Sequence, residues 1–299
     1  MPKIFRNYIK VIRVHHWVKN LLIFIPFFLE HRFNDLDGLY TLVFSFLCLS
    51  LLASSTYIAN DLLDLEADRA NTTKKLRPIA SGSISVKQAI AIMVILIVAV
   101  FMIASQLPTL FQLVLVAYLI SSLSYSFFLK SIAVLDVCIL SSLFTLRIIG
   151  GCIVINAEWS FWLFAFSMFF FLSLALAKRV SELENIKREE GSFPIGRGYQ
   201  VIDLPILTNA GVSSGLLSIL VVALYINSNK VEKMYQYPEI LWLICPLLLY
   251  WIVRVWMITA RGRMHEDPVL FAIRDRVSLL TLLLAGLVVL SAVVLPKFF

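Results

Sequence analysis

Asn60, Asp61, Asp64, Glu66 and Asp68 follow an apolar run that ends near Ala59, and Lys74, Lys75 and Arg77 come just after them. Four acidic side chains therefore gather at the mouth of a membrane helix. If that helix continues, Asp61, Asp64 and Asp68 stand at i, i+3 and i+7 and share one face. Three carboxylates on one face repel each other unless a cation sits among them. Oxygen-only donors in that pattern suit Mg²⁺, which combines a few carboxylates with the oxygens of a phosphate substrate. The spacing points to Mg²⁺-assisted diphosphate chemistry at a membrane surface, with Lys74 and Arg77 as phosphate partners. Downstream, Ser81-Gly82-Ser83 reads as a turn into the next helix, which Ser83 or Ser85 caps.

The elements that must hold these residues are transmembrane helices. The chain of 299 residues is 60% hydrophobic and 15% charged, with a mean hydropathy of +0.88, which excludes an ordinary soluble domain. Runs long enough to cross a ~30 Å hydrocarbon core fall at about 17–33, 38–59, 86–106, 108–129, 132–155, 159–178, 204–227, 238–258 and 277–296. The expectation is an all-α bundle of nine helices in a single membrane domain spanning 1–299, with a central cavity open to the cytoplasm. The first run is the weakest, interrupted or flanked by Pro26, Glu30, His31 and Arg32. Residues 1–20 carry Lys3, Arg6, Lys10, Arg13 and Lys19 and read as a basic amphipathic surface segment rather than a cleaved signal.

Most of the 26 Lys and Arg lie in the N-terminus and in the connections near 60–86, 130, 178–204 and 254–277. Only Arg32, Lys230, Lys233 and Lys297 fall on the other face, and Arg147 lies within a helix. The positive-inside rule then places the N-terminus and the long polar connections in the cytoplasm, as in a bacterial inner-membrane protein. The net charge of +7 is mostly topology, and no soluble basic domain exists to hold nucleic acid. Cys48, Cys138, Cys152 and Cys245 fall in apolar runs without metal-ligand spacing. Nothing in the chain argues for or against a homo-oligomer.

Asn60-Asp61-x-x-Asp64-x-x-x-Asp68, followed by Arg77-Pro78-Ile79-Ala80-Ser81-Gly82, resembles the first motif of the UbiA superfamily of intramembrane transferases. That resemblance implies a helical bundle in which metal ions bridge Asp61, Asp64 and Asp68 to a substrate diphosphate. A weaker echo of the cluster leaves the sixth run about 118 residues on, and here the chain departs from the aromatic prenyltransferases. Where they carry a second Asp-rich motif, this sequence has Lys178-Arg179-Val180-Ser181-Glu182. One acidic and one basic cluster suit a substrate bearing both a diphosphate and a separate phosphate.

That exchange makes the chain similar to the decaprenyl-phosphate phosphoribosyltransferase branch. Further matching pieces are His16-Trp17-Val18-Lys19-Asn20, Tyr125 and Lys130, Leu146-Arg147-Ile148-Ile149-Gly150-Gly151, Arg261-Gly262-Arg263-Met264 with Asp267-Pro268, and Asp275-Arg276. The resemblance implies transfer of a 5-phosphoribosyl group from phosphoribosyl diphosphate (PRPP) to a polyprenyl phosphate. Asn60 would accompany the three aspartates, and Lys19, Lys74, Arg77, Tyr125, Lys130, Arg147, Lys178, Arg179 and Glu182 would contact substrate. Alternatives stay open at several points. Arg147 could pair with Asp136 in its own helix, Lys130 could be a snorkelling anchor, and Lys178 and Arg179 could bridge Glu182 and Glu184. Gly196-Arg197-Gly198-Tyr199 reads only as a flexible cytoplasmic loop. Two other functions compete: a prenyltransferase joining a prenyl diphosphate to an aromatic or polar acceptor, and a phosphorylated-lipid transporter.

Overall fold

The structure, a computed structural model, describes residues 3–71, 74–188, 198–264 and 267–294. Among these, eight helical stretches are long and apolar enough to cross a membrane. They are α3 (Leu36–Leu63), α5 (Val86–Ala104), α6 (Thr109–Phe127), α7 (Leu135–Val154), α8 (Phe161–Arg188), the stretch ending in α9 (Leu204–Ile226), the stretch ending in α11 (Ile244–Ala260), and α13 (Arg276–Val294). The ninth expected span, 17–33, is shorter and irregular. It is a 3-10 segment, Val14–Phe24, running into a five-residue helix α2 (Ile25–Leu29). Local chemistry sets the boundaries. Asp35 accepts from the Gly38 N–H to open α3, and Ser85 with Gln88 forms a capping box at α5. Of the two serines expected there, Ser85 is the cap. The described residues fall into two compact units, and α7 contributes 135–145 to the second and 146–154 to the first.

In the first unit, α3 is the central helix, packed against α5, α6, the 3-10 segment and the N-terminal helix α1 (Lys3–Ile12). Val11, Ile58, Ile79, Ile84, Ala89 and Leu96 form one apolar cluster that ties α1, the 78–84 turn and α5 to the end of α3. The N-terminus is therefore only partly the surface segment expected. Past Ile12 it sinks into the unit, with Lys19 and Asn20 buried. A polar stripe on α3 receives it: the Trp17 indole N–H donates to Ser54 Oγ (2.9 Å), and Asn20 Nδ2 donates to Ser50 Oγ (3.0 Å). The two geometries match in pitch. Three residues of 3-10 helix and four of α-helix both advance ~6 Å, so Trp17 and Asn20 meet Ser54 and Ser50 in step. Gly151 permits the approach on the far side, since a Cβ there would stand 2.0 Å from the Ile23 carbonyl oxygen.

In the second unit, α8, α9 and α11 pack together. The Ser173 hydroxyl donates to the Gly211 carbonyl (2.7 Å) and accepts from the Trp256 indole (3.0 Å). Trp256 lies against Gly211, where a Cβ would come within 2.2 Å of its ring. The connection after α11 lies along the C-terminal half of α8. Ser181 Oγ donates to the Met264 carbonyl, and Arg188 donates to the carbonyls of Arg261 and Gly262. A short helix α12 (Pro268–Arg274) follows, its N-terminus capped by Asp267.

Candidate functional site

The acidic motif straddles a break. α3 ends at Leu63, Asp64 is the junction residue (φ −89°, ψ 10°), and Leu65–Ala70 forms a separate short helix α4. The continuous helix expected over Asp61 to Asp68 is thus interrupted at its middle carboxylate. Hydrogen bonds from the Asp64 N–H to the Asn60 carbonyl and from the Asp68 N–H to the Asp64 carbonyl hold the register across the break. Asp61 and Asp68 still converge, because Arg77 Nη1 lies 3.1 Å from Asp61 Oδ1 and 2.5 Å from Asp68 Oδ2. Asp64 accepts from Asn60 Nδ2 (3.2 Å).

A second cation completes this group, and it is one that sequence reasoning did not single out. Arg13 Nη2 stands 2.6 Å from Asp61 Oδ1, with its guanidinium over the Tyr57 ring, 5.0 Å from the centroid. Arg13 sits at the turn between α1 and the 3-10 segment in the left-handed region (φ 54°), which a residue with a Cβ rarely adopts. Nothing marks Arg13 among its basic neighbours. The signal lies in α3 instead: Ser50, Ser54, Tyr57 and Asp61 recur at helical spacing within an apolar span, so a polar partner must cover them.

The charges are layered. Asp61 and Asp68 are 4% and 2% exposed, while the Arg13 and Arg77 side chains are 17% and 29% exposed. Anions lie inside and cations on the open side. Among the described residues, no three Asp, Glu, His or Cys side chains already converge as a metal cage. The donor chemistry nevertheless fits Mg²⁺: Asp61, Asp64, Asp68 and Asn60 offer only hard oxygen ligands within two helical turns, and guanidinium charge stands where cationic charge is required. Lys74 is exposed beside them, its N–H bonded to Asn71 Oδ1 (3.0 Å).

Deeper in the same unit, Arg147 is 4% exposed. Its Nε donates to Asn20 Oδ1 (2.8 Å), and its Nη2 donates to the Tyr118 hydroxyl (3.2 Å). Its partners are thus on the 3-10 segment and α6. Asp136, the intrahelical partner weighed for it, is engaged by Arg179 and Tyr199 instead. Eleven residues of helix separate Arg147 from Asp136 by ~16 Å. Lys19 is buried beside Asn20, and Tyr125 is half-buried in the last turn of α6.

In the second unit the basic cluster divides. Arg179 is 1% exposed and Asp136 is 0% exposed, with Arg179 Nε 2.8 Å from Asp136 Oδ2. Arg179 also donates to Glu182. The Tyr199 hydroxyl donates to Asp136 and accepts from the Val134 N–H (2.7 Å). Burial and the bond to Asp136 push the Tyr199 phenol well above its ordinary pKa, which keeps it a donor. So Tyr199, which the sequence left without a role, fixes this buried group. Gly196 and Arg197 lie outside the described residues. Lys178, a third exposed, stands 3.5 Å from Asp267. Lys130 is half-buried in a short 3-10 turn, Leu129–Ser131. Arg254 and Asp275 form a two-pronged pair at 2.7 and 2.9 Å. Although burial pushes the Asp275 carboxyl upward, Arg254 and Ser278 hold it below its ordinary pKa.

Residues 23–274 match the model of the UbiA prenyltransferase family. The chain belongs to that family, and it is a multi-pass membrane protein. Within it, the chain is 31% identical over 282 residues to the nodulation protein NoeC of Azorhizobium caulinodans, covering 93% of this chain and 91% of NoeC. It is 39% identical to the uncharacterized protein y4nM of Sinorhizobium fredii, over 91% of this chain but only 53% of that protein. Decaprenyl-phosphate phosphoribosyltransferase of Mycolicibacterium smegmatis is 36% identical over 60% of this chain and 58% of its own length. The chain thus spans little more than half the length of two of these relatives. Among solved structures, a UbiA homologue from Archaeoglobus fulgidus bound to GPP and Mg²⁺ shares the fold, with a TM-score of 0.68 and 17% identity over 95% of this chain and 99% of that one.

Proposed function

We propose that this protein transfers the 5-phosphoribosyl group of PRPP to a polyprenyl phosphate at the cytoplasmic face of a bacterial inner membrane, releasing diphosphate. The observation that carries this reading is the contrast between two 28-residue helices: α3 has Asp61 in its last turn, whereas α8 has Lys178 and Arg179 where its apolar run gives way to a charged C-terminal third. Paired acidic clusters suit a single prenyl diphosphate. One acidic and one basic end suit a diphosphate together with separate phosphates. The likeness to the mycobacterial phosphoribosyltransferase, over 60% of the chain, supports the same substrates.

Asp61, Asp64, Asp68 and Asn60 would hold Mg²⁺. Bound there, the ion supplies positive charge to a departing diphosphate. Arg77 and exposed Lys74 add charge-assisted hydrogen bonds to the same phosphates. As the ribose C1–O bond to diphosphate breaks, a phosphate oxygen of the lipid forms the new bond to C1. The lipid phosphate is already anionic, so no strong general base is required. The protein's work is placement and charge stabilisation. Lys178 is the accessible cation of the second cluster for a further phosphate, whereas buried Arg179 pairs with the carboxylates of Asp136 and Glu182. The apolar faces of the helices accept the isoprenoid tail.

Purified protein incubated with polyprenyl phosphate, labelled PRPP and Mg²⁺ is expected to give a labelled lipid, to stop on chelation with EDTA, and to recover on adding Mg²⁺. Prenylation of an aromatic acceptor from a prenyl diphosphate, with no product from PRPP, would overturn the substrate assignment and leave the family intact.

A further inference from the structure

The buried carboxylate pair of Asp61 and Asp68 faces two cations that reach it from elements flanking α3. Arg77 comes from the turn after α4, and Arg13 from the junction of α1 with the 3-10 segment. We propose that Arg13 is an exchangeable counter-cation of the catalytic carboxylates. It holds Asp61 while no metal is bound, and it turns onto the anionic substrate when a divalent cation takes its place. This rests on the reading that Asp61 belongs to the metal site.

Four features of Arg13 point this way. Its guanidinium lies on the more accessible side of an acid that is almost wholly buried, 17% against 5% side-chain exposure, so exchange does not require unpacking the helix end. Its contact with Asp61 is a single nitrogen–oxygen approach at 2.6 Å rather than a two-pronged grip, and a second guanidinium, Arg77, reaches the same oxygen at 3.1 Å. Its ring partner Tyr57 lies one turn before Asp61 on the same helix face, so a guanidinium that leaves Asp61 keeps an aromatic seat beside the site. Finally, its left-handed backbone aims the side chain at α3 from the end of a segment fixed by Trp17 and Asn20. A strained, anchored cation over a buried acid is a poor surface decoration and a good charge relay.

Electrostatics gives the proposal a sign. Removing a competing cation tightens metal binding, whereas removing a structural prop loosens it. A cation that later meets substrate must also weaken anion binding when lost, so the two affinities move in opposite directions. Full-length protein in detergent, titrated with Mn²⁺ by calorimetry, reads the first. Inorganic diphosphate titrated into the Mn²⁺-loaded protein reads the second. Arg13→Ala is expected to bind Mn²⁺ about tenfold more tightly and diphosphate about tenfold more weakly than the parent, the scale of one charge-assisted hydrogen bond. Arg13→Asn, whose side chain tolerates a left-handed backbone, should do the same and serves if Arg13→Ala does not fold. Hydrogen exchange across residues 9–16 should quicken when Mn²⁺ is added to the parent. Unchanged or weaker Mn²⁺ binding by both variants, with exchange indifferent to metal, would overturn the role of Arg13 and leave the metal site standing. Equal Mn²⁺ binding by the parent and by Asp61→Asn would remove the metal from Asp61 and overturn both.

Discussion

The two units contain groups of similar composition and opposite layering. In the first, buried Asp61 and Asp68 are covered by partly exposed Arg13 and Arg77. In the second, Arg179 and Asp136 are both buried and the outermost member is Glu182, at 38% side-chain exposure. What lies outside can be exchanged for an ion or ligand from water, and what lies inside cannot. A group that must take up a cation needs its acids protected and its native cations replaceable. A group that must stay fixed needs its central charge sealed and ion-paired, as Arg179 is by Asp136 and Glu182, while Tyr199 bonds Asp136. On the proposed function, the difference separates a binding site from a scaffold, although both read as charged helix ends in the sequence.

The largest expected effect falls on the scaffold. Arg179→Ala leaves the Asp136 carboxylate buried without its cation, a change that costs about 3–5 kcal/mol, and thermal unfolding in detergent should register it. If Arg179→Ala instead kept the parent's melting temperature and lost only substrate affinity, the contrast would collapse.

Asp61→Asn tests the other unit. The released cations already touch water, so the melting temperature should change little, while turnover should fall by about 100-fold or more as one oxygen ligand and one charge are lost. A large loss of stability with matching loss of activity would make Asp61 a second Asp136. Lys178→Ala sharpens the division within the basic cluster. It should raise the apparent KM for PRPP or the lipid phosphate about tenfold and leave the fold intact, since Lys178 is a third exposed and meets Asp267 at only 3.5 Å.

Much of this architecture is legible in the chain because apolar runs declare membrane helices directly. Eight of the nine expected spans appear as such. The exception, 17–33, contains Pro26, and its buried Asn20 answers to polar groups of α3 and α7, which no local pattern reveals. The acidic motif was legible as a group, but the break at Asp64 was not, because Leu-Asp-Leu-Glu is as good a helix sequence as its neighbours. Pairing over long separations was the hardest to read. Arg13 with Asp61, Asn20 with Arg147 and Tyr199 with Asp136 each join residues brought together only by packing, and charge alone suggested nearer partners, such as Asp136 for Arg147.

The match in pitch between the 3-10 segment and α3 constrains length as well as composition. Trp17 and Asn20 keep step with Ser54 and Ser50 only while three residues separate them. One residue inserted between them would swing everything beyond by a third of a turn. Asn20 would then leave both Ser50 and the Arg147 guanidinium that it now accepts from, stranding a cation in the low-dielectric interior. Residues 13–23 therefore act as a spacer whose residue count is fixed while many of its exposed side chains are free to change. Natural variation should appear there as substitution and never as a gap, whereas the connection around Asn34 on the exposed side of α2 is free to lengthen.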